Sequence, residues 1–235
     1  MEYHDLLELA RKRRSCRRFK DDSVSTEIID KILDMARHSP SAANSQPWEF
    51  VVVTDFIMKR AISKEIVSVY NEAKERDTTF NFKVAVQSQL FSAPVLIVVC
   101  GDRRLMQAYP ALLRGRELLR QSLAICAYSI QLAAASFGLA TAWATIQWGP
   151  PEIAVKRLLA IPESFTVDHI IPIGYPDETK EKRTRALIQV RERAPFRREL
   201  RDIVHHECYD MKKYRSDEEL DEFIWSKTVT RIRSG

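Results

Sequence analysis

Glycine is scarce in this chain, with six in 235 residues, and none stands in a G-x-G-x-x-G or G-x-x-x-x-G-K-[ST] pattern. That argues against a classical dinucleotide fold and against a P-loop, both of which need glycine where backbone approaches phosphate. The four cysteines (Cys16, Cys100, Cys126, Cys208) are far apart and form no C-x-x-C, so neither a zinc ribbon nor a thioredoxin-like pair is expected, and the thiols should be free. Five scattered histidines form no H-E-x-x-H, and no G-x-S-x-G is present. His205, His206 and Cys208 lie close together, but on the strand expected there alternate residues face opposite sides, so no metal site is expected. The longest apolar stretches, Ala93–Cys100 and Leu123–Ala135, are too short or too interrupted to cross a bilayer. The chain opens Met-Glu-Tyr-His-Asp without an apolar signal segment, and a cytoplasmic protein is the expectation.

What is present suffices for one sizeable core. Hydrophobic residues make up 45% of the chain and no linker divides it. Tyr3, Leu6, Leu7 and Ala10 recur at helical spacing, so an amphipathic helix opens the chain. Ser25 caps a second helix, with Glu27 in its first turn and Ile28, Ile29, Ile32, Leu33 and Ala36 as its buried stripe. Strands are expected near Glu49–Thr54, over Ala93–Cys100, over Leu139–Ile146 and over Val167–Ile173. Helix is expected around Met58–Tyr70, and the polar run Asn71–Asn81 follows. Arg116–Phe137 is the longest helical pattern, apolar nearly all round as for a helix covered by a core and a second subunit, and Gly138 ends it. A short helix runs from Pro150-Pro151 through Leu159, and Ser216-Asp217-Glu218-Glu219 is a capping box for a last helix to about Trp225.

Two stretches carry chemistry. Ser39-Pro40-Ser41-Ala42-Ala43-Asn44-Ser45-Gln46-Pro47-Trp48 gathers hydroxyls and amides in ten residues between a helix and a buried strand, a setting suited to a flat, heteroatom-rich ligand. The other is the basic run Arg11–Lys20, in a chain of net charge +5. Alone, that run also fits a nucleic-acid patch, but Ser15, Cys16 and Phe19 interrupt it and an amphipathic helix precedes it. A phosphate-holding turn fits better, with no nucleic-acid or membrane partner.

Arg13-Arg14-Ser15-Cys16-Arg17, the Ser39–Trp48 loop and Gly174-Tyr175-Pro176, in that order, resemble the FMN-dependent nitroreductase family. The resemblance implies an α+β fold, a central mostly antiparallel sheet flanked by helices in a domain-swapped homodimer. It implies FMN as cofactor, NAD(P)H as co-substrate, and a nitroaromatic, quinone or similar small-molecule acceptor. A reductive dehalogenase or flavin-consuming member of the same superfamily is the enzyme alternative, and a flavin-binding or nucleic-acid-binding protein the non-enzymatic one.

Carried over residue by residue, the resemblance sets Arg13 and Ser15 towards the FMN phosphate and ribityl groups, with Arg14 joining them, and Arg17 towards the N1/O2 edge of the flavin ring. Pro40, Ser41 and Asn44 would contact FMN bound mainly by the partner. Arg197 matches the family's carboxyl-terminal phosphate residue, before a short strand that crosses to the partner; Arg183 and Arg185 compete with it. Thr145 and Ile146 would meet the flavin through backbone atoms, although Trp143-Ala144-Thr145-Ile146-Gln147 lacks the glycine frequent there. Gln87, Gln89 or Asn81 would supply an amide. The family-like domain is expected to occupy residues 1–207, with a helical extension over 208–235. No side chain need act as nucleophile.

Overall fold

Two apolar strands organise the molecule, a computed structural model that describes residues 2–76, 90–108, 114–146, 149–180 and 197–220. They are β2 (Val95–Asp102) and β5 (Phe165–Gly174), paired antiparallel, and β1 (Trp48–Val53) extends the sheet beyond β2. On the far side of β5 lie two short strands, β3 (Ala140–Thr141) and β4 (Ala144–Thr145), both antiparallel to it. The expected α+β architecture is present.

Both faces of β2 are buried, so helices must cover both sides of the sheet. Val95, Ile97 and Val99, with Ile171 and Ile173, meet α2 (Thr26–Arg37) and the long α4 (Gly115–Ser136). Leu96, Val98 and Cys100, with Val167 and Ile170, meet α3 (Phe56–Arg76) and α5 (Pro150–Leu158). Val167 and Ile170 share a face although three residues apart. The cause is a bulge: Val99 pairs with His169 and Cys100 with Val167, leaving Asp168 as the extra residue. All four thiols are free, and burial pushes those of Cys100 and Cys126 up to about 12, so neither is a nucleophile at neutral pH.

The helix signals read from sequence hold at α2, where Ser25 Oγ accepts from the Ile28 N–H, and at the end of α4, where Gly138 takes φ 71°. Three expectations are corrected. Leu139–Ile146 is not one strand, because the Ala142 N–H goes to the Pro172 carbonyl and Pro172 has no N–H to return. Helix α3 runs beyond Tyr70 to Arg76, through Glu72, Ala73, Lys74 and Glu75, which favour helix. α1 (Tyr3–Lys12) forms as the expected amphipathic helix, although it buries no residue within the chain and Tyr3 and Leu6 are exposed. Finally, the segment at Arg197–His206 is no strand. Leu200–Asp202 forms a 3-10 turn, with the Asp202 N–H on the Glu199 carbonyl at 3.0 Å and the Val204 N–H on the Leu200 carbonyl at 3.0 Å, so the backbone satisfies itself locally.

His205 therefore does not alternate with His206 and Cys208 on a pleat; it stacks on Tyr209 and its Nδ1 accepts from the Asp210 N–H. The capping box forms, with mutual bonds between Ser216 and Glu219. The expected end of that helix lies outside the described residues. No helix among them is long and apolar enough to cross a membrane.

Candidate active site

The basic run is pinned at both ends. α1 delivers Arg13 at its carboxyl terminus, the Cys16 N–H then donates to the Thr141 carbonyl at 2.8 Å, and Lys20 N–H to the Tyr175 carbonyl at 2.8 Å. Asp177 N–H returns a bond to the Arg18 carbonyl, so Phe19 and Pro176 form an antiparallel bridge. Thus the first and third sequence motifs are fastened together at the end of β5.

Beside this staple opens a cleft of about 380 Å³ whose wall includes Lys12, Arg13, Arg14, Ser15 and Glu178, with the end of α4 as its floor. Three of the ten expected site residues share it. Arg13 Nη1 donates to Gln131 Oε1 at 3.4 Å, and the same buried oxygen accepts from Thr141 Oγ1 at 3.4 Å. Gln131 was missed in the sequence; an amide among the alanines Ala124, Ala127, Ala134 and Ala135 was the available signal. Arg17 does not line the cleft. Its carbonyl accepts from Ser92 Oγ at 3.4 Å, and its side chain is half-buried.

Pro40, Ser41 and Asn44 lie elsewhere, on the loop that precedes β1. Ser39 Oγ and Ser129 Oγ are hydrogen-bonded at 2.8 Å and the Ala42 N–H donates to Ser122 Oγ at 3.2 Å, which docks the loop on α4. Ser41 Oγ accepts from the Gln46 N–H, so this hydroxyl already serves the loop. Ala43, Asn44 and Gln46 all hold positive φ, 51°, 50° and 45°. Three left-handed non-glycine residues in four positions are held only by surroundings that overdetermine them, as at ligand sites.

The two motifs flank one helix on opposite sides. At about 100° per residue Ser122 and Ser129 lie within roughly 20° of one another on α4, whereas Gln131 is about 180° from Ser122. Between those flanks runs the exposed stripe of α4, which includes Gln121, Ile125 and Tyr128. Ile125 and Tyr128 put apolar side chains where a monomer would be polar.

The remaining expected residues do not join the cleft. Thr145 is exposed, while the Ile146 side chain is in the core and its N–H already donates to the Asp168 carbonyl, so only its carbonyl is left to offer. Arg197 is exposed, just before the 3-10 turn. Asn81, Gln87, Gln89, Arg183 and Arg185 lie outside the described residues.

The nitroreductase family model matches residues 10–175, from the end of α1 to the end of β5. The chain belongs to the nitroreductase family. It is 33% identical over 175 residues to the "Putative NADH dehydrogenase/NAD(P)H nitroreductase" of Methanothermobacter thermautotrophicus, covering 74% of this chain and 78% of that one. It is 27% identical over 197 residues to the iodotyrosine deiodinase of Thermotoga neapolitana, covering 79% and 96%. Among solved structures, an FMN-dependent nitroreductase from Clostridium difficile superposes with a TM-score of 0.63 at 24% identity, over 86% of this chain and 99% of that one. That likeness shows a nitroreductase fold, and the family match places both the Arg13–Ser15 cleft and the strained loop inside the family core.

Proposed function

We propose that this nitroreductase-family chain is an FMN-dependent oxidoreductase that draws on NAD(P)H and reduces a nitroaromatic, quinone or related acceptor as a homodimer with two shared sites. The observation that carries the reading is the placement of the two motifs on opposite flanks of α4 with an exposed apolar stripe between them. A second copy seated on that stripe would set its strained loop against this chain's Arg13–Ser15 cleft.

The donor set suits FMN. Guanidinia at Arg13 and Arg14 are matched to a phosphate dianion, Ser15 can serve phosphate or ribityl hydroxyls, and the volume is at the small end of ligand pockets, as for half of a shared site. Bound FMN would supply hydride acceptance and return at its N5. Gln131 holds Arg13 in place, Arg17 would bring positive charge to the N1/O2 edge, and the loop with Pro40, Ser41 and Asn44 would close the ring from the partner's side. Arg197 and Thr145 would reach the site only in the dimer. The amino-acid match to an iodotyrosine deiodinase over 96% of that protein supports reductive dehalogenation as the second reading.

The purified protein should absorb as an oxidised flavoprotein and bleach anaerobically with NADPH or NADH; a colourless protein that takes up no FMN would overturn the proposal. Arg13→Ala should weaken FMN binding by ten- to a hundredfold, since a charged hydrogen-bonding partner contributes about 1.5–3 kcal/mol. Riboflavin, which has no phosphate, should be affected much less. Equal losses for both would take Arg13 away from the phosphate.

A further inference from the structure

A second cavity, of about 300 Å³, lies at the amino-terminal half of α4 and shares no lining residue with the Arg13–Ser15 cleft. Its polar wall is Arg103, Arg116, Arg120, Glu152, Thr166 and Asp168, completed by apolar side chains of α4 and of the segment before it. Asp168 is the bulge residue of β5, and its carboxylate faces Arg120 of α4.

Asp168 is 4% exposed. Its Oδ1 accepts from Thr166 Oγ1 at 3.0 Å, but among the described residues its Oδ2 accepts no hydrogen bond. Arg120 Nε stands 3.6 Å away, close enough to compensate charge and too far to donate well. A buried carboxylate oxygen left open in this way is costly unless a donor fills it. Arg103 and Arg116, both exposed, set positive charge at the rim. Arg103 spends Nε and Nη2 on the Ser164 and Glu163 carbonyls, which fixes its guanidinium in position. Glu152 Oε1 accepts from the Val167 N–H at 3.1 Å, tying the acidic wall to the same strand.

A simple anion would meet the guanidinia but face Asp168, and a simple cation would fill Asp168 Oδ2 but face three guanidinia. A ligand with both charges a few bonds apart satisfies both ends. We propose that this cavity binds a small zwitterion of the α-amino-acid type, its ammonium donating to Asp168 Oδ2 and its carboxylate held at the mouth by Arg116 and Arg103. The inference does not depend on the flavin reading.

Isothermal titration of the purified, flavin-replete protein with glycine, L-serine and L-methionine tests it, with acetate and methylamine as half-ligands. At least one amino acid should bind, and each half-ligand at least tenfold more weakly. Asp168→Asn and Arg116→Gln should each weaken the amino acid at least tenfold with circular dichroism unchanged. No heat from any amino acid would overturn the proposal, and so would acetate or methylamine binding as tightly. Should Asp168→Asn fail to fold, Arg116→Gln still decides, because its side chain is exposed: unchanged binding in that variant sinks the site.

Discussion

Ala43 sits at φ 51°, ψ 27°, a conformation that costs an L-residue roughly 1–2 kcal/mol and a β-branched one more. The side chain is exposed, so packing cannot be the reason alanine is tolerated. Ala43→Val should lower stability by about 1–2 kcal/mol, where an exposed substitution is ordinarily within about 0.5 kcal/mol, and Ala43→Gly should leave it unchanged or raised. Urea denaturation of the three proteins checks this; equal midpoints would mean that the loop relaxes out of the left-handed region. His169 is constrained differently. Its Nδ1 accepts from Trp143 Nε1 at 3.0 Å, which only the neutral ring can do, and Nε2 is buried without a hydrogen-bond partner among the described residues. Burial lowers its pKa first of all; Asp168 opposes and Arg120 assists. The folded value therefore lies below the unfolded one of about 6.5, and between them the unfolded chain binds the extra proton. Stability is complete above about pH 6.5 and falls as pH drops towards the folded value, by up to about 1.4 kcal/mol per pH unit. His169→Gln, which keeps an acceptor for Trp143, should flatten the loss of stability between pH 6.5 and 5.5; identical slopes would show that other groups cause it.

Among the elements, the end of β5 bears most on the site. A Cβ at Gly174 would meet the Pro94 ring, with Cγ at 2.7 Å and Cδ nearer still, and Phe19 Cδ1 at 3.2 Å. A proline ring at a strand's entrance cannot swing aside, so Gly174→Ala should destabilise by about 1–3 kcal/mol and, by prising Phe19 from Pro176, loosen the segment that carries Arg13. An unaltered melting temperature would show that the strand end yields without cost. This contact ties Gly174-Tyr175-Pro176 to the basic run, but nothing local in the sequence says so: Pro94 and Phe19 arrive from two other places in the chain. The same distinction runs through the fold. α2, α4 and α5 were legible because periodicity and caps such as Ser25 and Gly138 are local, and β1, β2 and β5 because their apolar runs are. The division of β3 from β4 depends on Pro172 in another strand, and the turn at Leu200–Asp202 on bonds its backbone makes with itself. In the site, the Arg13–Ser15 cluster was legible, whereas Gln131, Ser122 and Ser129 announce themselves only as polar positions in an apolar helix. Asp168-His169, a polar pair inside the run Val167–Ile173, was a visible signal of the bulge and went unread.

At the scale of the whole molecule, α4 is covered on one side by the sheet and α2, and left bare on another. Ile125 and Tyr128 are each 43% exposed, and Gln121 precedes them at helical spacing, so the stripe faces away from the core while flanked by the loop on one side and the Arg13 segment on the other. Exposed apolar surface of this kind on a helix mostly buried elsewhere marks an interface, and a two-fold partner would place the same stripe against itself. The proposed homodimer can therefore be tested without reference to the carboxyl-terminal arm. Ile125→Glu and Tyr128→Glu together would set two carboxylates from each copy into one apolar contact, while in an isolated chain both would point to water and leave the core untouched. Sedimentation should find the wild type dimeric and the double variant largely monomeric with unchanged circular dichroism. Flavin content should fall with dimerisation, because half of each site would come from the partner's loop. A double variant that stays dimeric and keeps its flavin would move the interface off α4, and with it the explanation offered here for why the loop and the Arg13–Ser15 cleft lie apart in a single chain.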